Sequence, residues 1–225
     1  LASIVTFLVF EPQLTVRVFT FFIGATLLVA VGQADDLHDL RALWRIGAQA
    51  TAALSMIFLA GWQASNLQDV FGFPASNIGL LAVPFTVFIV VGVINALNMA
   101  DGVDGLAGSL SVVALGLFAC FGLYSGNVLV VERILAVAAA VLGFLVWNAR
   151  FPWQPRARVF LGNGGSILLG FTIAYASVRL SQSPDHPVSP VLGPWALSLP
   201  LSDCVTLMLR RWRQGRSPFA ADRHH

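Results

Sequence analysis

Few side chains in this sequence could do chemistry, and most of those that could are acids. Asp35 and Asp36 are adjacent, with Asp39 three residues on. Adjacent carboxylates raise each other's pKa unless a cation offsets them, which suits a divalent metal or a catalytic base. A solvated loop beside a membrane span explains an isolated pair equally well. A denser constellation is Asn95-Ala96-Leu97-Asn98-Met99-Ala100-Asp101-Gly102-Val103-Asp104-Gly105. Asn95, Asn98, Asp101 and Asp104 are each three apart, which predicts four polar groups stacked along one side of a helix end. Oxygen ligands of that kind suit hard cations such as Mg²⁺, which also take substrate phosphate oxygens, and the glycines let backbone approach a ligand closely. A polar loop capping two helices is the plainer alternative.

A third stretch, Val159-Phe160-Leu161-Gly162-Asn163-Gly164-Gly165-Ser166, follows Arg156 and Arg158. A glycine-rich turn entering a helix offers free N–H groups to an anion, although such turns are also ordinary between membrane helices. Asp203 lies seven residues before Arg210, about 10 Å below the charged edge of a helix. An ionisable group at that depth is a site candidate, and a snorkelling contact with Arg210 or Arg211 is the structural alternative. The run Arg210 to Arg216, followed by Ser217-Pro218-Phe219, reads by itself as a positively charged membrane anchor.

The elements that must position these groups are membrane helices. Of 225 residues 57% are apolar and 11% charged, and the mean hydropathy is +0.78. A soluble domain carries about 25% charged residues, so a polar shell cannot be built here. Continuous apolarity without strand alternation favours helices over a barrel. Eight segments are predicted, at 1–10, 16–31, 46–62, 78–97, 105–124, 134–147, 165–178 and 191–209, forming one all-α polytopic bundle over 1–225. The near-balance of 13 basic and 11 acidic residues implies no nucleic-acid surface. Cys120 and Cys204 lie in apolar stretches and suggest neither a disulfide framework nor a metal cluster. Threading the segments back and forth puts ten arginines on one side and Arg17, Arg133 and Arg179 on the other, so the ten-arginine side is expected to be cytoplasmic. Asp35, Asp36, Asp39, Asp101, Asp104, Asp203 and Asp222 belong to that same side.

Taken in order, these motifs resemble the polyprenyl-phosphate N-acetylhexosamine-1-phosphate transferases, the membrane family that includes the MurNAc-pentapeptide translocase. The resemblance covers nearly the whole chain. It rests on Gly32 to Asp39, on the Asn-x-x-Asn-x-x-Asp-Gly-x-Asp-Gly-Leu-Ala run from Asn95 to Ala107, on Val159 to Ser166, on Asp203 and on the tail Ser217 to His225. It implies transfer of a sugar-1-phosphate from a UDP-N-acetylamino sugar to undecaprenyl phosphate at the cytoplasmic face of a bacterial inner membrane. Mg²⁺, or Mn²⁺ in its place, would be the cofactor and UMP the released product, with membrane lipid and a second copy in a homodimer as further partners.

By motif position the resemblance implies catalytic roles for Asp35, Asp36, Asp101 and Asp104, and metal contacts for Asn98, Asp101 and Asn163. It implies substrate contacts for Asn95, Asn148, Phe160, Arg216 and His225, with Phe160 stacking on uracil and Asn148 contacting uridine. Asp39, where the MurNAc branch usually has lysine, and the arginine-rich stretch 148–158 make the GlcNAc-1-phosphate branch the nearer likeness. Two departures stand out. Asn163 replaces the family's metal-binding aspartate, and the sequence stops at the first histidine of the family's cluster and lacks the amino-terminal helix, as a fragment truncated at both ends would. A catalytically idle homologue is therefore the second reading. A transporter is the third, disfavoured because the acids gather at one membrane face rather than at the midplane.

Overall fold

The computed structural model describes residues 16–68, 77–183 and 187–215. The expected segment at 1–10, the tail 217–225, Arg216 and His225 lie outside the described residues. Within them the protein is an all-helical, polytopic membrane bundle. Its helices are α1 (Val16–His38), α2 (Ala42–Phe58), α3 (Ala82–Ala100, preceded by a 3₁₀ turn Gly79–Leu81), α4 (Leu106–Tyr124), α5 (Val128–Asn148), α6 (Gly162–Ser181), α7 (Leu192–Ala196) and α8 (Ser198–Arg213). Two isolated β-bridges, Asn66 with Asn77 and Phe151 with Gln154, are the only extended pairings among the described residues.

Among the described residues four helices are long and apolar enough to cross a membrane alone: α1, the 3₁₀ turn with α3, α4 and α5. The central element is a fifth, α6, with 14 buried positions, packed against α1, α3 and α4. Lipid is as apolar as leucine, so close packing has to hold such helices together. Phe21 of α1 stacks on Phe171 and meets Tyr175 edge-on, at ring separations of 5.6 and 5.2 Å. At the other end of the same contact a Cβ at Gly32 of α1 would lie 2.5 Å from Gly164 Cα of α6. Only glycine allows the backbones that approach.

Two boundaries differ from expectation in ways that matter. Helix α1 runs past residue 31 to His38, so Asp35 and Asp36 occupy its last turn rather than a loop. It ends where Asp39 adopts φ 53° and donates its N–H to Asp35 O, a left-handed cap. The apolar stretch 191–209 is not one span. It breaks at Leu197 into α7 and α8, and Pro200 sits in the first turn of α8, where its missing N–H costs nothing. Asp203 is exposed on α8.

Candidate functional site

The C-terminal turns of α1 and α3 meet the N-terminal turn of α6, and the motif acids divide there into two kinds. Asp35 is buried and fully engaged. Its Oδ1 accepts from Leu40 N (2.9 Å), and its Oδ2 accepts from Arg45 Nη1 (2.9 Å) and Asn163 Nδ2 (2.8 Å). Asp104 is likewise neutralised, accepting from Arg150 Nε (2.8 Å) and Ala157 N (3.3 Å), and these donors hold its carboxyl below the usual carboxylate range.

Asp36 and Asp101 differ from both. Among the described residues neither has an arginine partner. Asp36 accepts the Asn163 N–H through both oxygens, at 3.2 and 3.1 Å, and Asp101 accepts the Gly162 N–H. Helix α6 has no side-chain cap of its own, so these two carboxylates from other helices satisfy its first N–H groups at the positive end of its dipole. The turn expected to offer free N–H groups to an anion has already given two of them to the chain's own anions. Gly162 is required there: its φ is +69°, and a Cβ would lie 2.9 Å from Asp36 Oδ2. Burial raises the Asp101 carboxyl to about 6, the Gly162 N–H partly offsets this, and the charge of Asp36 adds to the rise.

The four polar groups of the second motif fan out instead of stacking. A three-residue step turns a helix through about 300°, so successive members drift by about 60°. Asn95 donates to Gln49 Oε1 on α2 (2.7 Å) and to Val91 O (2.8 Å). Asn98 donates to Asn163 Oδ1 (2.9 Å) and Ser166 Oγ (2.8 Å) on α6. Asp101 caps α3 and meets Gly162. Asp104, beyond the helix, turns to Arg150. Of the six residues to which the resemblance gives catalytic or metal roles, five, Asp35, Asp36, Asn98, Asp101 and Asn163, are joined through the first turn of α6.

Asn148 is 4% exposed and both its polar atoms are spent within the chain. Oδ1 accepts Gly105 N (2.9 Å) and Nδ2 donates to Val159 O (2.7 Å), so it ties the Asp101–Gly105 turn to the segment leading into α6. Asn148→Ala orphans both partners and should cost about 2 kcal/mol or more, read as a lower thermal midpoint in detergent. Phe160, by contrast, is 75% exposed beside the α6 turn, free to stack. The partners Arg45, Gln49, Ser166 and Arg150 are not evident as site residues in the sequence. The one signal is that Arg45 and Gln49, the two large polar side chains of a mainly apolar helix, fall four apart.

Among the described residues no three His, Cys, Asp or Glu side chains form a cage for a metal ion. Asp36 and Asp101 are instead two hard-oxygen donors that have no arginine partner among the described residues, and the charge of Asp36 bears on Asp101. That donor set fits Mg²⁺, which is commonly held by one or two carboxylates and completed by water and substrate phosphate.

Residues 18–181 match the model of a family described as glycosyl transferase family 4. The chain is 36% identical over 201 residues to the undecaprenyl-phosphate alpha-N-acetylglucosaminyl 1-phosphate transferase of Yersinia pestis, covering 89% of this chain and 55% of that protein. To the protein of the same description from Salmonella typhi it is 37% identical over 208 residues, 91% of this chain and 56% of the relative. To that from Haemophilus influenzae it is 34% identical over 199 residues, 88% and 56%. The chain thus spans about half the length of the curated relatives it matches.

Proposed function

Because this chain belongs to glycosyl transferase family 4, we propose that it forms the site at which a sugar-1-phosphate, GlcNAc-1-phosphate first among them, passes from a UDP-sugar to undecaprenyl phosphate. An oxygen of the acceptor phosphate bonds to the sugar-bearing phosphorus, the bond between the two donor phosphates breaks, and UMP leaves with that bond's electrons. A phosphate monoester is already largely ionised at neutral pH. No general base is needed, and the task is to align two anionic phosphates and neutralise them. The Asp36–Asp101 pair, poised at the α6 N-terminus with no arginine on either among the described residues, carries this reading.

A divalent cation, Mg²⁺ or Mn²⁺, held by Asp36 and Asp101 would supply the charge neutralisation. Around it Asp35 anchors the α6 turn, Asn95 and Asn98 line the α3 side, and Phe160 offers its ring to uracil. The active face is cytoplasmic by the positive-inside rule, in a bacterial inner membrane. Arg17 and Arg179, which lie over the Trp62 ring at 4.9 and 5.7 Å, mark the opposite end of α1 and α6. The test uses the full-length protein in membranes with radiolabelled UDP-GlcNAc, undecaprenyl phosphate and Mg²⁺. A lipid-linked product is expected, and no product with any UDP-N-acetylamino sugar would overturn the proposal.

The idle-homologue reading turns on Asn163, whose amide bridges Asn98 and Asp35. In Asn163→Asp a carboxylate oxygen would face Asp35 Oδ2 in place of the amide donor at 2.8 Å. The metal-free variant should lose about 1–3 kcal/mol of stability. Mg²⁺ should restore it at a lower concentration than stabilises the parent, as read by thermal unfolding with and without the ion. An unchanged Mg²⁺ midpoint would show that position 163 does not face the cation.

A further inference from the structure

Helix α2 carries two polar side chains whose burial its own packing does not explain. Arg45 and Gln49 are one turn apart and so share a face, and α2 packs on both α1 and α3. Gln49 is 2% exposed and the Arg45 side chain 19%. The other polar side chains of the helix body, Thr51 and Ser55, return their hydroxyls to the helix's own carbonyls. Burying a guanidinium and an amide is costly unless each finds a specific partner, and here each partner belongs to a different motif. Arg45 Nη1 donates to Asp35 Oδ2 at 2.9 Å, and Gln49 Oε1 accepts from Asn95 Nδ2 at 2.7 Å.

The consequences pass onward. Asp35 Oδ2 also holds Asn163 Nδ2, and the Asn163 N–H holds Asp36, so Arg45 is two hydrogen bonds from the residue that fixes the Asp36 carboxylate. Asn95 Nδ2 is shared between Gln49 and Val91 O, which turns its amide nitrogen inward and leaves Oδ1 as the atom available to a ligand. We propose that Arg45 and Gln49 are positioning residues of the transfer site, Arg45 acting through Asp35 on the first turn of α6 and Gln49 setting the amide of Asn95. The proposal rests on the transfer reading for its kinetic consequences but not for its structural ones.

The test uses Arg45→Met, Arg45→Lys, Gln49→Leu and Gln49→Glu in the full-length protein. A misplaced rather than missing contact should lower kcat in Arg45→Met by about 50-fold or more while KM for UDP-GlcNAc stays within about threefold. Arg45→Lys, which can still donate one hydrogen bond to Asp35, should recover to within about tenfold of the parent. Gln49→Glu keeps the acceptor oxygen and should outperform Gln49→Leu. Hydrogen exchange gives a readout free of activity: Arg45→Met should speed exchange at residues 161–166 and leave 167–178 unchanged. Raised KM with intact kcat would put the guanidinium on a substrate phosphate and overturn the proposal, as would equal losses in Arg45→Met and Arg45→Lys or unchanged exchange at 161–166. If the full-length parent transfers nothing, the transfer reading fails, and the exchange result alone decides the positioning role.

Discussion

Asp101→Asn should abolish transfer, by roughly 10³-fold or more, and at the same time make the metal-free protein more heat-stable near neutral pH. Both effects come from one charge. Burial raises the Asp101 carboxyl from 3.8 to about 6, with the charge of Asp36 adding to the rise. The sign follows from linkage. Between about pH 4 and 6 the native state keeps a proton that the unfolded chain has already released, so metal-free stability falls as pH rises through that window and stays reduced above it. Asparagine keeps an oxygen for the Gly162 N–H and removes the charge. The difference in thermal midpoint between variant and parent should therefore be close to zero near pH 4, open as pH rises to about 6, and then level off. Mg²⁺ should raise the midpoint of the parent and not that of the variant. A difference independent of pH would show that the Asp101 charge is not the cause.

Gly32→Ala should be almost as damaging, without removing any chemical group. The added Cβ would lie 2.5 Å from Gly164 Cα, 2.6 Å from Gly164 N and 2.9 Å from the Asn163 carbonyl carbon. All three are backbone atoms with no side chain to yield, so α1 and α6 must separate by about 1 Å to restore contacts near 3.5 Å. Asp35 and Asp36 lie three and four residues further along α1, and their hydrogen bonds to Asn163 at 2.8, 3.1 and 3.2 Å span that junction. A displacement of 1 Å at a reacting centre can cost about 10²-fold in rate, and overpacking costs about 1–3 kcal/mol. Both should appear in Gly32→Ala, in turnover and in thermal midpoint. Gly47→Ala, where a Cβ meets nothing within 4 Å, is the matched control and should be near neutral. Parent-like turnover in Gly32→Ala would mean that the α1–α6 spacing does not set the site.

The membrane-helix class is legible in the sequence because apolar runs dominate it, and so is the grouping of motifs, because Asp35-Asp36, Asn95 to Asp104 and Gly162 to Ser166 fall where apolar runs end. The division of labour within those motifs is not. Asp35 and Asp36 are neighbours of the same type, and only the placement of Arg45, on another helix, makes one an anchor and leaves the other without a counter-charge among the described residues. The two internal hydrogen bonds of Asn148 and its burial are likewise invisible in the sequence, because its partners Gly105 and Val159 lie 43 and 11 residues away. The break at Leu197 is hidden for a different reason. Its apolar flanks match a continuous span, and prolines at 194 and 200 can sit within the first turns of short helices.

Helix α6 has a consequence for how the chain reaches its membrane. Among the described helices it is the most enclosed, yet it is not one of the four with the length and apolarity to cross alone. Its amino-terminal turn carries Asn163, three glycines and Ser166, and Arg179 lies near its other end. During synthesis such a segment gains little by leaving the translocon for lipid and much by entering a groove already walled by α1, α3 and α4, all of which emerge before it. The candidate site therefore comes into being at one moment of biogenesis, when α6 docks and its first N–H groups reach Asp36 and Asp101. A nascent chain arrested before residue 162 would present those two carboxylates at helix ends with nothing yet to hold.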